Sequence, residues 1–256
     1  MTTAIAIEIA KRITAMRYED LPAAALHWAK IAIIDTLACA LAGANEEAPR
    51  IAEKVAAAYG GTGPALLWGT NRRASALDAA VINGTAGHAL DYDDVNNTIG
   101  GHPSVPILPA LFALGEILES NGKDLLLAYI TGFETQARIG AAVNVYHYRK
   151  GWHPTATLGV FGAAAASARL LNLSVQHTAT ALAIAASLSS GIKANFGTLT
   201  KPLHAGHCSR NGLYAALLAK EGFTASDDAF EHKHGFFELF NGAGNYHVDN
   251  IFRNLT

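Results

Sequence analysis

The chain has 256 residues and a mass of 26.8 kDa, with 19 Lys plus Arg against 21 Asp plus Glu and a formal charge of −2. So even a balance, without a clustered basic excess, excludes the usual footprint of a nucleic-acid binder, and 50% hydrophobic against 16% charged residues excludes a disordered chain. Two cysteines, Cys39 and Cys208, are too few for a disulfide framework, and residues 1–22 lack the unbroken apolar stretch of a signal peptide, so a cytoplasmic protein without a membrane partner is expected.

Alanine supplies about a fifth of the residues, a composition that favours helices. Ile5, Ile9 and Ile13 recur at helical spacing, followed by Leu26, Ala29, Ile33, Leu37 and Leu41, with Gly43 as a C-terminal stop. The apolar window 28–44 is interrupted by Lys30 and Asp35, and the window 178–191 is short and rich in Ala and Ser. Both read as buried helices of a soluble protein. Further helices are expected near 48–59, 74–90, 105–120, 124–143, 155–171, 174–189 and 203–220, punctuated by glycines. Residues 65–68 are a candidate for one short strand. The expected fold class is therefore all-α, an Ala-rich helical bundle forming one domain over 1–256, without a repeat or linker to divide it. The segment 241–256 carries turn signals at Gly242 and Gly244 and no closing element; it reads as a frayed tail or as the junction to a further domain.

An ionisable residue stands before a proline three times, at His102-Pro103, His153-Pro154 and Lys201-Pro202, each ahead of an expected helix start near Ser104, Thr155 and Leu203. Proline in a first helical turn gives up an N–H that has no intrahelical partner and keeps the preceding residue extended. Each side chain would then project from the positive end of a helix, where an anion is favoured. Three such ends at one cleft would suit a small polycarboxylate, although any one of them alone is equally an ordinary helix start.

The string Asp91-Tyr92-Asp93-Asp94 follows an expected helix end near Leu90, where the macrodipole disfavours negative charge. Crowded carboxylates raise one another's pKa, which suits proton transfer, while a solvated acidic loop or a set of capping residues explains the same string. Asp-x-Asp-Asp could hold Mg²⁺, but residues 96–101 lack a calcium-loop pattern. His204 and His207, and His232 and His234, match no zinc signature, and nothing marks either cysteine as a nucleophile.

The strings IIDTLACALAGA (33–44), NGTAGHALDYDD (83–94), GGHPSVPILPALFALGE (100–116), GWHPTATLGVFGAAAASARLL (151–171) and FGTLTKPLHAG (196–206) resemble the MmgE/PrpD family, which contains 2-methylcitrate dehydratase, cis-aconitate decarboxylase and iminodisuccinate epimerase. The resemblance implies a large helical domain and a smaller α+β lid, a homodimer, an active site between the domains, and no metal or organic cofactor. It also implies that Asp91, His102, His153 and Lys201 line the pocket. Asp94, Lys201 and His204 are the candidate substrate contacts. The chain departs from the decarboxylase branch at Val95, where that branch has threonine, and it ends where the lid would begin, so it looks like the helical domain of a longer enzyme.

The expected activity is thus a cofactor-independent lyase, a dehydratase or decarboxylase, acting on a small di- or tricarboxylate such as 2-methylcitrate or cis-aconitate. Lys201 and the helix N-termini would hold carboxylates, His102 or His153 would move a proton, and Asp91 would orient a histidine or act as the partner acid. An epimerase of an imino- or amino-dicarboxylate, or a truncated dimerisation domain without catalysis, are the alternatives.

Overall fold

The computed structural model describes residues 4–253. Its helices are α1 (Ile5–Ala15), α2 (Ala23–Gly43), α3 (Glu47–Tyr59), α4 (Ala76–Gly87), α5 (Leu108–Leu118), α6 (Gly122–Val143), α7 (Tyr146–Lys150), α8 (Pro154–Thr157), α9 (Gly159–Leu170), α10 (Val175–Leu188), α11 (Thr200–Lys220), α12 (Phe236–Phe240) and α13 (Asp249–Phe252). The strands among the described residues are β1 (Ala65–Leu66) and β2 (Arg73–Ala74), paired antiparallel with Ala65 opposite Ala74. The fold is all-α, as the composition predicts. The single strand expected at 65–68 has a partner, which takes the first residues assigned above to the helix 74–90.

Helix α11 runs through the middle, packed on α4, α9 and α10, while α6 lies along α9. Small side chains let these axes approach closely. Ala163, Ala164, Ala165 and Ala166 of α9 and Ala215, Ala216 and Ala219 of α11 are all fully buried. Where α4 crosses α11 the contact is glycine on glycine: a Cβ on Gly84 would lie 2.6 Å from the Gly206 Cα, and one on Gly206 would strike the Val81 carbonyl oxygen. This crossing fixes the loop after α4 against the first turns of α11, and the candidate site forms there. In the same core cluster as Ala164 and Ala215, the rings of Phe161, Phe230, Phe236 and Phe237 pack against one another.

Three expectations need correction. The helix expected over 155–171 is broken at Leu158 into α8 and α9. The hydroxyls of the short turn bond outside it, Thr155 Oγ1 to the His102 N–H and Thr157 Oγ1 to His147 Nε2. The window 28–44 is not a buried helix. Helix α2 is long and apolar enough, by length and composition, to cross a membrane, but it packs on α4 through its small residues Thr36, Ala40 and Gly43. Leu26, Ile33 and Leu37 are half-buried against the core, while others of its large residues are left outside, with Trp28 66% and Ile34 67% exposed. Finally, the described part of segment 241–256 is docked rather than frayed. The His247 N–H donates to the Ala142 carbonyl (2.8 Å), Asn250 Nδ2 donates to the Ala141 carbonyl (3.1 Å), and Ile251 is buried.

Candidate active site

Helix α4 ends at Gly87, and the loop that follows turns back across the start of α11, carrying most of the ionisable groups of the site. Its first residue, His88, is 1% exposed, and Asp93 is 2% exposed. The Asp93 carboxylate accepts from two imidazoles, from His88 Nδ1 at 2.9 and 3.1 Å and from His102 Nδ1 at 3.2 Å; His102 Nδ1 also lies 3.1 Å from the Asp93 carbonyl. The other ring nitrogen of His102, Nε2, faces the Asp91 carboxylate at 3.4 Å. Asp91 adopts a left-handed φ of +58°, a region an Asp side chain tolerates better than most, and this turns its carboxylate onto Lys201 Nζ at 2.5 Å. Lys201 and His102 thus share one carboxylate.

The electrostatics follow from these contacts. Burial opposes ionisation of Asp93, but the hydrogen bonds and charges of His102 and His88 outweigh it and hold the carboxyl far below its ordinary range. For Asp91, burial is likewise outweighed by the bond and charge of Lys201, so it too stays ionised. Burial alone would push the His102 imidazole down; the hydrogen bonds and charge of Asp93, with the charge of Asp91, raise it instead. His102 is therefore held towards its cationic form, with Nδ1 fixed at Asp93 and Nε2 directed at the Asp91 carboxylate.

His153 has the opposite character. It precedes α8, its N–H donates to the Gly191 carbonyl (3.0 Å), and its carbonyl accepts from the Ala156 and Thr157 N–H groups (both 3.0 Å), so its backbone is pinned on both sides. Its ring stacks on His88 with centroids 5.7 Å apart, meets the edge of Phe196 at 4.8 Å, and places Nδ1 3.1 Å from Nδ1 of His204. Burial, reinforced by the charges of His88, His204, Lys201 and His102, pushes its pKa down to about 2. A ring held towards its neutral form, His153, and one held towards its cationic form, His102, thus flank the His88 ring. Phe196 links them to the lysine, with Lys201 Nζ 5.4 Å from the same ring.

Asp91, His102, His153, Lys201 and His204 are therefore brought together, but not by three helix mouths. Helix α5 begins only at Leu108, so His102-Pro103 heads a turn, whose Ser104 side chain is committed to Asp94. Lys201 already lies inside the first turn of α11, which begins at Thr200. Only His153 directly precedes its helix, and α8 has four residues. The α4–α11 crossing does the gathering.

Asp94 is not part of the cluster. Its carboxylate accepts from the Ser104 hydroxyl (2.5 Å), which also pairs with the Tyr129 hydroxyl (2.7 Å), and its N–H donates to Asp35 (3.1 Å). It borders a separate cavity of about 460 Å³, lined by Trp28, Tyr129, Phe133 and Val95 among others. Burial, then the charges of Asp93 and Asp35, outweigh the Ser104 bonds and raise its pKa to about 6. The upward shift expected of crowded carboxylates is thus found at Asp94 and reversed at Asp91 and Asp93.

Sequence reasoning passed over His88 and the aromatic partner Phe196, and it marked Asp93, the centre of the network, only as one of the crowded carboxylates of the acidic string. His88 and Asp93 lie in the string 83–94 and Phe196 opens the string 196–206, so motif matching marked the segments but not the residues. His88, Asp91, Asp93 and His102 offer donor atoms within 4.8 Å of one another, a spacing that would admit a metal ion. The imidazole protons and the Lys201 ammonium already engage those carboxylates, so in this arrangement the four form a proton and charge network.

Residues 7–249 match the family model described as the MmgE/PrpD N-terminal domain. The chain is 34% identical over 242 residues to a human protein named cis-aconitate decarboxylase, covering 92% of this chain and 50% of that one. It is 32% identical over 250 residues to a cis-aconitate decarboxylase-like protein of Aspergillus oryzae, covering 94% and 52%, and 32% identical over 230 residues to a cis-aconitate decarboxylase of Aspergillus terreus, covering 87% and 47%. The chain spans about half the length of the curated relatives it matches.

Proposed function

The chain belongs to the MmgE/PrpD family, and from that premise we propose that it bears one wall of the active site of a cofactor-independent lyase, which removes carbon dioxide from a small carboxylate such as cis-aconitate, or water from one that carries a hydroxyl, such as 2-methylcitrate. The observation that carries this reading is the meeting of a cation-favouring His102, the Lys201 ammonium and a buried His153 held towards its neutral form in one cluster.

Loss of carbon dioxide or abstraction of an α-proton leaves electron density that spreads into a remaining carboxylate. Fixed positive donors aimed at that charge lower the barrier most effectively when they need no reorganisation. Lys201 and the His102 imidazolium supply them. Asp91 holds both donors in place until a substrate carboxylate competes for them. His102 keeps its Nδ1 bonded to Asp93, so only Nε2 faces the reaction, which fixes the direction from which a proton is given or taken. His153, held towards its neutral form by burial, exchanges a proton at carbon without leaving a charge in the pocket when its other ring nitrogen exchanges one at the same time. The second copy expected from the family resemblance is part of the proposal, as is a lid over the cluster.

The test is incubation of the protein, in its full natural length, with cis-aconitate in D₂O, followed by ¹H NMR. The reading predicts a decarboxylated alkene carrying one solvent deuteron, or a hydrated product. Deuterium exchange at an α-carbon with neither product would replace it with an epimerase.

A further inference from the structure

Resting on the lyase reading, we propose that His153 and His204 form a neutral proton wire between the pocket and solvent, with His204 the positioning residue that sets, and then exchanges, the tautomer of His153. Three features carry it. The first is the Nδ1–Nδ1 separation of 3.1 Å. At that distance one proton lies between the rings: two N–H groups would collide and two bare nitrogens would repel, so each ring dictates the tautomer of the other. The second is the burial gradient, since His153 is 3% exposed whereas His204, one turn into α11, is half-buried and meets solvent. The third is rigidity. The Gly191 carbonyl holds the His153 N–H, and Gly191 itself, at a φ of +122°, packs against both Ala156 and the His204 ring.

The groups around the pair leave little room for a stored cation. His88, Lys201 and His102 face His153, while His88 and His207 act on His204, and burial lowers both rings further. A wire avoids that cost. In the starting state His204 carries its proton on Nδ1 and donates to His153 Nδ1, and His153 carries its proton on Nε2. Water gives a proton to His204 Nε2, the His204 Nδ1 proton crosses to His153 Nδ1, and the His153 Nε2 proton passes to the carbanion carbon of the substrate. One proton enters and one leaves. Both rings end neutral, with tautomers exchanged and the hydrogen bond reversed. In a dehydration, abstraction of the substrate α-proton by His153 Nε2 resets them as His204 Nε2 returns its proton to solvent. After a decarboxylation, a water entering the emptied pocket gives His153 Nε2 that proton, and the hydroxide left behind leaves to meet the proton returned by His204. Asp93 holds His102 at Nδ1, so His102 has no such route and remains the charge donor.

The decisive experiment is NMR of ¹⁵N-histidine-labelled protein. A scalar coupling across the hydrogen bond between His153 Nδ1 and His204 Nδ1 is expected, disappearing in His204→Phe while the Asp93-bonded Nδ1 signal of His102 stays in place. Absence of the coupling in a folded wild-type protein overturns the pair without touching the lyase reading. In turnover, His204→Gln, which keeps a hydrogen-bonding group but cannot relay, should lose kcat by ~10²-fold with KM little changed. Added imidazole should restore it in proportion to its concentration. Unchanged kcat, or a loss that imidazole does not repair, overturns the wire. A wild-type protein that converts no carboxylate removes the lyase reading instead, and the coupling then decides the pair alone.

Discussion

Replacing Asp93 with Asn removes one charge from the centre of the network while keeping its shape. The carboxylate is 2% exposed and accepts from both His88 and His102. The amide that replaces it would have one oxygen left to accept, so one imidazole would stay bonded and the other would lose its partner. Breaking a buried pair by removing one member costs ~3–5 kcal/mol, and the retained bond places this variant near the lower end. The effect on His102 is more diagnostic. Burial pushes its pKa down, and Asp93 provides the largest opposing effect, so in Asp93→Asn it should fall from above the ordinary 6.5 to below it. Each unit of that fall corresponds to about 1.4 kcal/mol. The sign for stability is fixed by the same shift. In the wild type the folded pKa is raised, so the contribution of His102 is complete below pH 6.5 and is lost as pH rises through the folded value; the variant lacks this alkaline loss. Histidine NMR titration and urea unfolding from pH 6 to 9 measure both quantities. A His102 pKa that stays above 6.5 in the variant would refute the assignment of Asp93 as its anchor.

Gly206→Ala places a methyl group against the Val81 carbonyl and the Thr85 side chain at the α4–α11 crossing, and should destabilise the fold by at least ~2 kcal/mol in denaturant melts; a neutral result would mean the helices are further apart. Ile34→Gln on the exposed side of α2 should change monomer stability by less than ~0.5 kcal/mol, and a large loss, or a change in sedimenting mass, would show that this face is covered. Burial lowers the pKa of His153 to about 2 and of His147 to about 4, so the unfolded chain takes up protons at 6.5 that the folded one refuses. Asp94, raised to about 6, takes one up in the folded state and offsets part of this. Stability should therefore fall on acidification from pH 6 to 4 by at least ~1.4 kcal/mol per pH unit, and calorimetry showing a rise would contradict it. Lys201→Met breaks a partly exposed ion pair, so folding should change by under ~1 kcal/mol, while calorimetric affinity for cis-aconitate should drop by ~10-fold or more; unchanged affinity would remove Lys201 from carboxylate binding.

Much of the bundle was legible because its helices advertise themselves locally, as with Ile5, Ile9 and Ile13, which lie on the buried face of α1. What failed was local inference about exact starts. Proline is tolerated anywhere in a first turn, where the N–H groups are unpaired, so Lys201-Pro202 fits a helix beginning at Thr200 as well as one beginning at Leu203. Helix α2 misled for a different reason. Part of its hydrophobicity lies in the exposed Trp28, Ile31 and Ile34, whereas its contact with α4 uses Ala40 and Gly43, and composition cannot tell which face docks. The site residues nearest a proline or in the acidic string were found. His88 was not singled out, and Asp93 was marked only as part of the acidic string, since their pairing with each other and with His102 arises only when the loop after α4 folds back, a tertiary event with no fixed spacing in the sequence.

The central claim is that His102, His153 and Lys201 serve one carboxylate-binding pocket. Titration of histidine-labelled protein with cis-aconitate tests it most directly. The account predicts that the His102 and His153 ring signals move along a single saturable curve, and that the curve weakens in Lys201→Met while exposed His177 stays still. Binding that moves neither ring, or that moves them with unrelated affinities, would contradict it.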